Sequence, residues 1–165
     1  MTFIEVFLRE MNNESLTTRK MLERVPADKY DWKPHEKSMT LRQLATHVAE
    51  IPGWFGLVLN TTELDFAASP YSPVVINTPA ELLHHFESTL ADGKASLANG
   101  TDQQLEDNWT MRSGEQIFST MSKFDWIRSC FCQIVHHRAQ LGVYLRLLDV
   151  PIPGSYGPSA DDQSF

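Results

Sequence analysis

The segment DWIRSCFCQIVHHRAQLGVYLRLLDVP, residues 125–151, is the stretch that decides the fold of this chain. Its apolar residues recur at alternating steps of three and four, the spacing of a helix that packs along one face. The resulting stripe consists of Ile127, Cys130, Ile134, His137, Leu141, Tyr144 and Leu148. Ser122, followed three residues later by Asp125, marks the helix start, and Pro151 and Pro153 end the pattern. The segment therefore predicts a long helix with one buried face.

Three upstream segments show the same periodicity. The first runs from about Thr2 to Val25, where Pro26 ends it. The second follows a capping box formed by Thr40 and Gln43 and carries its apolar stripe from Leu41 to Val58. The third starts at the capping box Thr78-Pro79-Ala80-Glu81 and stops at Asn99-Gly100. Four amphipathic helices in 165 residues predict an all-α four-helix bundle, forming a single domain over residues 1–165.

The connecting segments carry weaker signals. Residues 108–118 predict a small β-hairpin turning at Ser113-Gly114, directly before the last helix. Residues 60–77 contain two prolines and predict a loop. Residues 154–165 have no periodic pattern and predict a tail extended across the surface.

The middle of the first helix, Asn12 to Ser15, is polar where the apolar stripe should continue. Either the stripe is weak at that point, or a polar group lies inside the bundle with a partner. A buried polar group needs a hydrogen-bond partner, which makes the weak stripe the simpler interpretation and the one we predict.

Composition excludes several functional classes. There are 14 Lys and Arg against 21 Asp and Glu, a net charge of −7, and no basic cluster longer than Arg19-Lys20. This argues against a nucleic-acid partner. No apolar run approaches the ~20 residues of a membrane span, and the N-terminus lacks a signal pattern, so we expect a cytoplasmic protein. Cys130 and Cys132 lie ~200° apart on a helix, which rules out a disulfide between them.

Two histidines interrupt the apolar faces. His137 occupies a stripe position on the last helix, and His47 lies at the edge of the apolar face of the second. A single inward histidine is more often a hydrogen-bonded core residue than a ligand, but facing helices can bring two together at a metal site. Gln133, one turn before His137, could add a weak amide ligand to zinc or nickel. Glu50 could orient His47 or act as a base, or simply be a solvated surface residue. His84 and His85 are predicted to be exposed.

Three stretches of the chain resemble the DinB/YfiT-like family. They are residues 38–50, residues 136–146 with the sequence HHRAQLGVYLR, and residues 151–159. The resemblance implies a four-helix bundle that often forms a homodimer and holds a divalent metal with three histidines. Position by position, the first ligand would be His47 and the last His137. The middle ligand would fall at Gln133, where this sequence departs from the family pattern, so we expect weaker metal binding.

The same resemblance implies a function. Some relatives are metal-dependent enzymes that use low-molecular-weight thiols, and the family name, which refers to damage induction, implies no DNA binding. We therefore expect a transferase or hydrolase acting on a small molecule with a metal-activated thiol or water, with Glu50 or Tyr144 lining the pocket. The alternative is a non-catalytic, dimeric, stress-associated binding bundle whose metal site has degenerated.

Overall fold

A computed structural model describes residues 1–163 and contains four long helices. They are α1 (Phe3–Leu22), α2 (Leu41–Asn60), α3 (Pro79–Asn99) and α4 (Lys123–Leu147). Each begins at a hydroxyl side chain that accepts a hydrogen bond from the backbone N–H three residues later: Thr2, Thr40, Thr78 and Ser122. In a full capping box the side chain three residues into the helix also accepts a hydrogen bond from the backbone N–H of the capping residue. At Thr78 this second bond is shifted by one residue, because Glu81 accepts from the backbone N–H of Asn77. The predicted four-helix fold is confirmed, although α1 ends one turn before Val25.

A three-stranded sheet accompanies the helices. Strands β2 (Asn108–Ser113) and β3 (Gln116–Ser122) form the predicted antiparallel hairpin, with Gly114 at a φ of 57° in its turn. Strand β1 (Glu63–Asp65) pairs in parallel with β2. The prediction that residues 60–77 are entirely loop was therefore wrong. Three residues are too few to show alternation, and the partner of β1 is distant in the sequence.

The helix α2 lies at the centre of the bundle and packs most extensively on α3 and α4. The helices α2 and α3 approach each other closely at Gly93, where the Cβ atom of any other residue would overlap the carbonyl oxygen of Pro52. Only glycine fits this crossing. Thr89, one turn before Gly93, donates a hydrogen bond to the carbonyl of Ala49 at 2.6 Å and joins the two helices at the same level.

The polar middle of α1 reaches into the bundle, so the prediction of a weak stripe was wrong. Glu14 is 6% exposed and pairs with Arg138 of α4, itself 2% exposed, at 2.5 Å from Nη1 to Oε2. The same guanidinium donates to Thr18, and the other carboxylate oxygen accepts from the hydroxyl of Tyr156 at 2.7 Å. Every charge in this cluster has a partner, which is the condition for burying an ion pair.

The tail after α4 is anchored by this cluster. Tyr156 binds Glu14, and Arg138 donates to Ser155 through Nη2 at 3.3 Å. The tail has no helix or strand up to residue 163, while the predicted course of residues 164 and 165 lies outside the described residues. Within residues 1–163, no helix has the length and apolarity that crossing a membrane requires.

The glycine at the α2–α3 crossing supplies a stability test. We expect Gly93→Ala to destabilise the protein by about 1–3 kcal/mol, because the backbone of Pro52 cannot yield to the methyl group. Gly53→Ala is the matched control. Its new Cβ would lie at an ordinary 3.5 Å from Thr89, so the better helix propensity of alanine should stabilise by up to about 1 kcal/mol. Urea unfolding measures both, and equal effects would contradict the packing argument.

The buried ion pair supplies a second test. Glu14→Ala leaves the guanidinium of Arg138 unpaired inside the bundle and should cost about 3–5 kcal/mol of unfolding free energy. The exposed Glu10 on the same helix is the control, and its replacement by alanine should change stability by no more than about 0.5 kcal/mol. A loss below about 1 kcal/mol for Glu14→Ala in chemical unfolding would show that the pair is not a structural requirement.

Candidate metal centre

The bundle brings His47 of α2 and His137 of α4 together. Their ring centroids are 4.5 Å apart, and the ring planes lie at 82° to each other. The two residues are 90 positions apart in the sequence, so only the packing of α2 against α4 creates this contact. Both rings are partly buried, and His47 is also in edge contact with the indole of Trp54.

Each imidazole is oriented through its Nδ1 atom by a side chain of its own helix. The Nδ1 of His47 lies 2.6 Å from Oε1 of Glu50, and that of His137 lies 2.9 Å from Oε1 of Gln140. Neither Nε2 atom has a hydrogen-bond partner among residues 1–163. A histidine whose Nδ1–H is held by an oxygen presents Nε2 as a free lone pair, which is the usual arrangement at metal sites.

A third side chain extends the network on the His47 side. The hydroxyl of Tyr71 donates to Oε1 of Glu50 at 2.7 Å, so one carboxylate oxygen joins the phenol to the imidazole. Burial, together with the hydrogen bond and charge of Glu50, raises the pKa of Tyr71, which keeps the phenol protonated as a donor. Sequence reasoning missed Tyr71 because it belongs to the irregular segment between β1 and α3.

The electrostatics favour a neutral imidazole at His137. Burial lowers its pKa, and the neighbouring His47 and His136 lower it further, against the opposing effect of the bond to Gln140. The neutral form is the one that can donate a lone pair to a metal ion. His136 lies beside it, with the ring centroids 4.7 Å apart, but is exposed.

The other predicted site residues lie in different surroundings. Gln133 is exposed, one turn before His137, and its side chain makes no hydrogen bond within the described chain. Tyr144 donates to the carbonyl of Met39 at 3.2 Å and packs edge-on against Trp32. Over residues 1–163, no cluster of three His, Cys, Asp or Glu side chains has the geometry to hold a metal ion.

The histidines of α3 differ from each other. His84 is exposed as predicted, but His85 is partly buried and its Nε2 has no hydrogen-bond partner among residues 1–163, so that prediction was wrong for His85. Burial lowers the pKa of His85, while the negative charge of Glu50 raises it. The imidazole is therefore within the electrostatic field of the Glu50 carboxylate.

Two cavities meet at His47 and Tyr71. The first, here called the aromatic cavity, has a volume of about 470 Å³ and extends between the sheet and the ends of α2 and α4. Its walls are mainly aromatic and aliphatic: Trp54, Leu64, Phe66, Trp109, Met111 and Trp126. The second, about 550 Å³, lies toward Arg42 and Val74 and is more polar. Both volumes are typical of small-molecule sites.

The thiol of Cys130 also borders the aromatic cavity. Burial raises its pKa to about 12, so it is a neutral thiol at physiological pH. A neutral thiol is a poor nucleophile, which argues against Cys130 as a reactive group.

The whole chain matches one family model. The model of the DinB family aligns with residues 1–164. The chain belongs to the DinB family. This confirms the resemblance noted in residues 38–50 and 136–146 of the sequence.

Known proteins are similar to this DinB family member in sequence or in fold. The uncharacterized protein YrdA of Bacillus subtilis (strain 168) is 25% identical over 164 residues, covering 96% of this chain and 91% of YrdA. A DinB-like protein from Bacillus cereus ATCC 10987 superposes with a TM-score of 0.69 at 20% identity, covering 91% of this chain and 95% of that one. The DinB-like protein YjoA of Bacillus subtilis gives 0.68 at 17% identity, covering 87% and 92%. At these identities the structural matches establish the fold alone.

The two cysteines should differ in reactivity. Cys130 is buried with a raised pKa, whereas Cys132 is exposed on α4. We expect one rapidly reacting thiol when the native protein is treated with a chromogenic disulfide reagent, lost in Cys132→Ser and retained in Cys130→Ser. Denaturation should expose both thiols. Rapid reaction of Cys130 in the native protein would contradict its assignment as an inert wall residue.

Proposed function

We propose that this DinB family member is a metal-dependent enzyme in which His47 and His137 bind a divalent cation, zinc or nickel. The observation that carries the proposal is the convergence of the two imidazoles, each held at Nδ1 and free at Nε2. A hydrogen-bonded core histidine would not need a second histidine against it. Two histidines from facing helices are a common way for helical bundles to build metal sites.

The donor set fits a weakly held cation with open positions. The two imidazoles supply strong nitrogen ligands, and Gln133 on the same helix as His137 could supply only a weaker amide oxygen. A divalent ion with a free position lowers the pKa of a thiol or water bound to it. Catalytic sites keep such a position free, whereas structural sites close it.

The chain's own residues have defined tasks in this scheme. Glu50 fixes the ring of His47, and Tyr71 in turn holds Glu50 by donating to it. This arrangement holds the Nε2 atom of His47 in one direction. Tyr144 has its hydroxyl bonded to Met39, so we assign it a structural role in the loop before α2.

The reaction we propose is the transfer of a low-molecular-weight thiol to a small electrophile. A new carbon–sulfur bond forms as the bond to the leaving group breaks, the leaving group departs with its electron pair, and the thiol proton passes to solvent. Hydrolysis is the same substitution with water in place of the thiol. We also keep the sequence-based expectations of a homodimer and a cytoplasmic location as part of this proposal.

A non-catalytic binding bundle is the second candidate. It is favoured by the exposed glutamine at the middle ligand position and by the lack of a three-residue ligand cluster in residues 1–163. In that case the histidine pair would be a remnant of a metal site. The two candidates differ in metal affinity and in turnover of a thiol with an electrophile.

Metal uptake tests the proposal. We expect untagged protein to bind zinc or nickel in a ratio approaching one per chain. His47→Ala and His137→Ala should lower the affinity by more than about 100-fold, and Glu50→Gln by about 10–100-fold. His84→Ala, an exposed histidine on α3, is the control and should bind like wild type. Isothermal titration calorimetry and elemental analysis measure these changes.

Gln133→His separates the two candidates, since it supplies the missing nitrogen ligand. If Gln133→His binds the metal more tightly than wild type, and wild type shows no thiol-dependent turnover, the non-catalytic bundle with a degenerate metal site is favoured. Equal, negligible metal in wild type and both histidine variants would contradict a metal site altogether.

A further inference from the structure

We infer that the aromatic cavity binds an uncharged, aromatic small molecule and that this molecule is the electrophilic substrate of the site. Its role as substrate rests on the proposed function, whereas the binding itself rests on the cavity alone. The cavity begins at His47 and continues away from the imidazoles for a volume of about 470 Å³.

The chemistry of the walls selects an apolar ligand. No Asp, Glu, Lys or Arg lines the cavity within residues 1–163. An ionic ligand placed there would lose its hydration without gaining a partner, which is strongly unfavourable. The aromatic cavity therefore disfavours a charged substrate. The second cavity, which includes Arg42 and Asp31, could accept a polar co-substrate.

Two of the three indole groups that line the cavity present ring surface rather than donors. The Nε1 of Trp109 donates to Thr61 at 2.9 Å, and that of Trp126 donates to the carbonyl of Trp109 at 2.9 Å. The two rings pack edge to face with their centroids 5.0 Å apart, so their positions are fixed. Because both donors are already engaged, these residues can offer a ligand only ring contact, which suits an aromatic group.

The polar side chains of the lining come from two segments. They are His47 on α2 and, in the segment between β1 and α3, Ser69, Tyr71 and Ser72, and the hydroxyl of Tyr71 is engaged with Glu50. A ligand with its apolar part among Trp109, Met111 and Trp126 would present its other end to His47, the residue proposed to hold the cation. That is the end at which the thiol would attack.

A pair of matched probes tests the inference. N-phenyl-1-naphthylamine is uncharged and aromatic, and its sulfonate, 1-anilinonaphthalene-8-sulfonate, differs by one negative group. We expect the uncharged probe to bind the purified protein saturably, one per chain, and at least about tenfold more tightly than the sulfonate. Fluorescence titration gives both affinities. Equal affinity for the two probes, or no saturable binding of the uncharged one, would overturn the inference.

Two variants locate the site. Met111→Glu places a carboxylate in the wall of the cavity and should lower the affinity for the uncharged probe at least about tenfold. Ile117→Glu makes the same change on the neighbouring strand, at a side chain that is 63% exposed and outside the cavity, and should leave the affinity unchanged. Thermal unfolding verifies that both variants fold. If Met111→Glu does not fold, the comparison of the two probes on wild type still decides. An unchanged affinity in folded Met111→Glu would overturn the inference.

His137→Ala separates this inference from the proposed function, because His137 does not line the cavity. If His137→Ala no longer binds the metal but still binds the uncharged probe, both the proposed function and the present inference are supported. Probe binding as expected in a wild-type protein that takes up no metal would overturn the proposed function and support the cavity as a ligand site.

Discussion

The ion pair between Glu14 and Arg138 is the constraint on which the arrangement of the bundle depends. Removing two charges from water is costly, so the pair is tolerated only because Thr18, Ser155 and Tyr156 complete its hydrogen bonds. These partners come from α1 and from the tail. The pair therefore sets the rotation of α4. Adjacent helical residues point ~100° apart, so directing Arg138 toward α1 leaves His137 free to face α2.

Helix positions were the most predictable part of this fold. Helix starts depend on local chemistry, and Thr40 with Gln43 or Ser122 with Asp125 identifies them within a few residues. The meeting of His47 with His137 followed from their places on two apolar faces. Strand β1 and Tyr71 could not be found in this way, because their partners on β2 and at Glu50 are chosen by the tertiary fold. Glu14 was misjudged for the same reason, since its partner lies 124 residues away.

The site combines two surfaces of opposite character. On one side, hydrogen bonds to Glu50 and Gln140 fix the directions of the imidazoles, and burial lowers the pKa of His137. On the other side, the indoles of Trp109 and Trp126 form a wall with no exposed donors. Polar orientation at one end and apolar contact at the other is the usual composition of small-molecule sites. Here the sheet contributes Leu64, Trp109 and Met111 to the apolar wall, and the helices α2 and α4 contribute the remaining indoles.

The anchoring of Glu14 also has a consequence for biosynthesis. Its carboxylate accepts from a hydroxyl 142 residues further along the chain, so α1 emerges from the ribosome long before Tyr156 is translated. Until Arg138 and Tyr156 have been synthesised, the carboxylate of Glu14 lacks its buried partners and remains hydrated. The native docking of this part of α1 therefore follows the synthesis of α4 and the tail. The nascent chain would thus expose the apolar side of α1 until α4 and the tail have been synthesised.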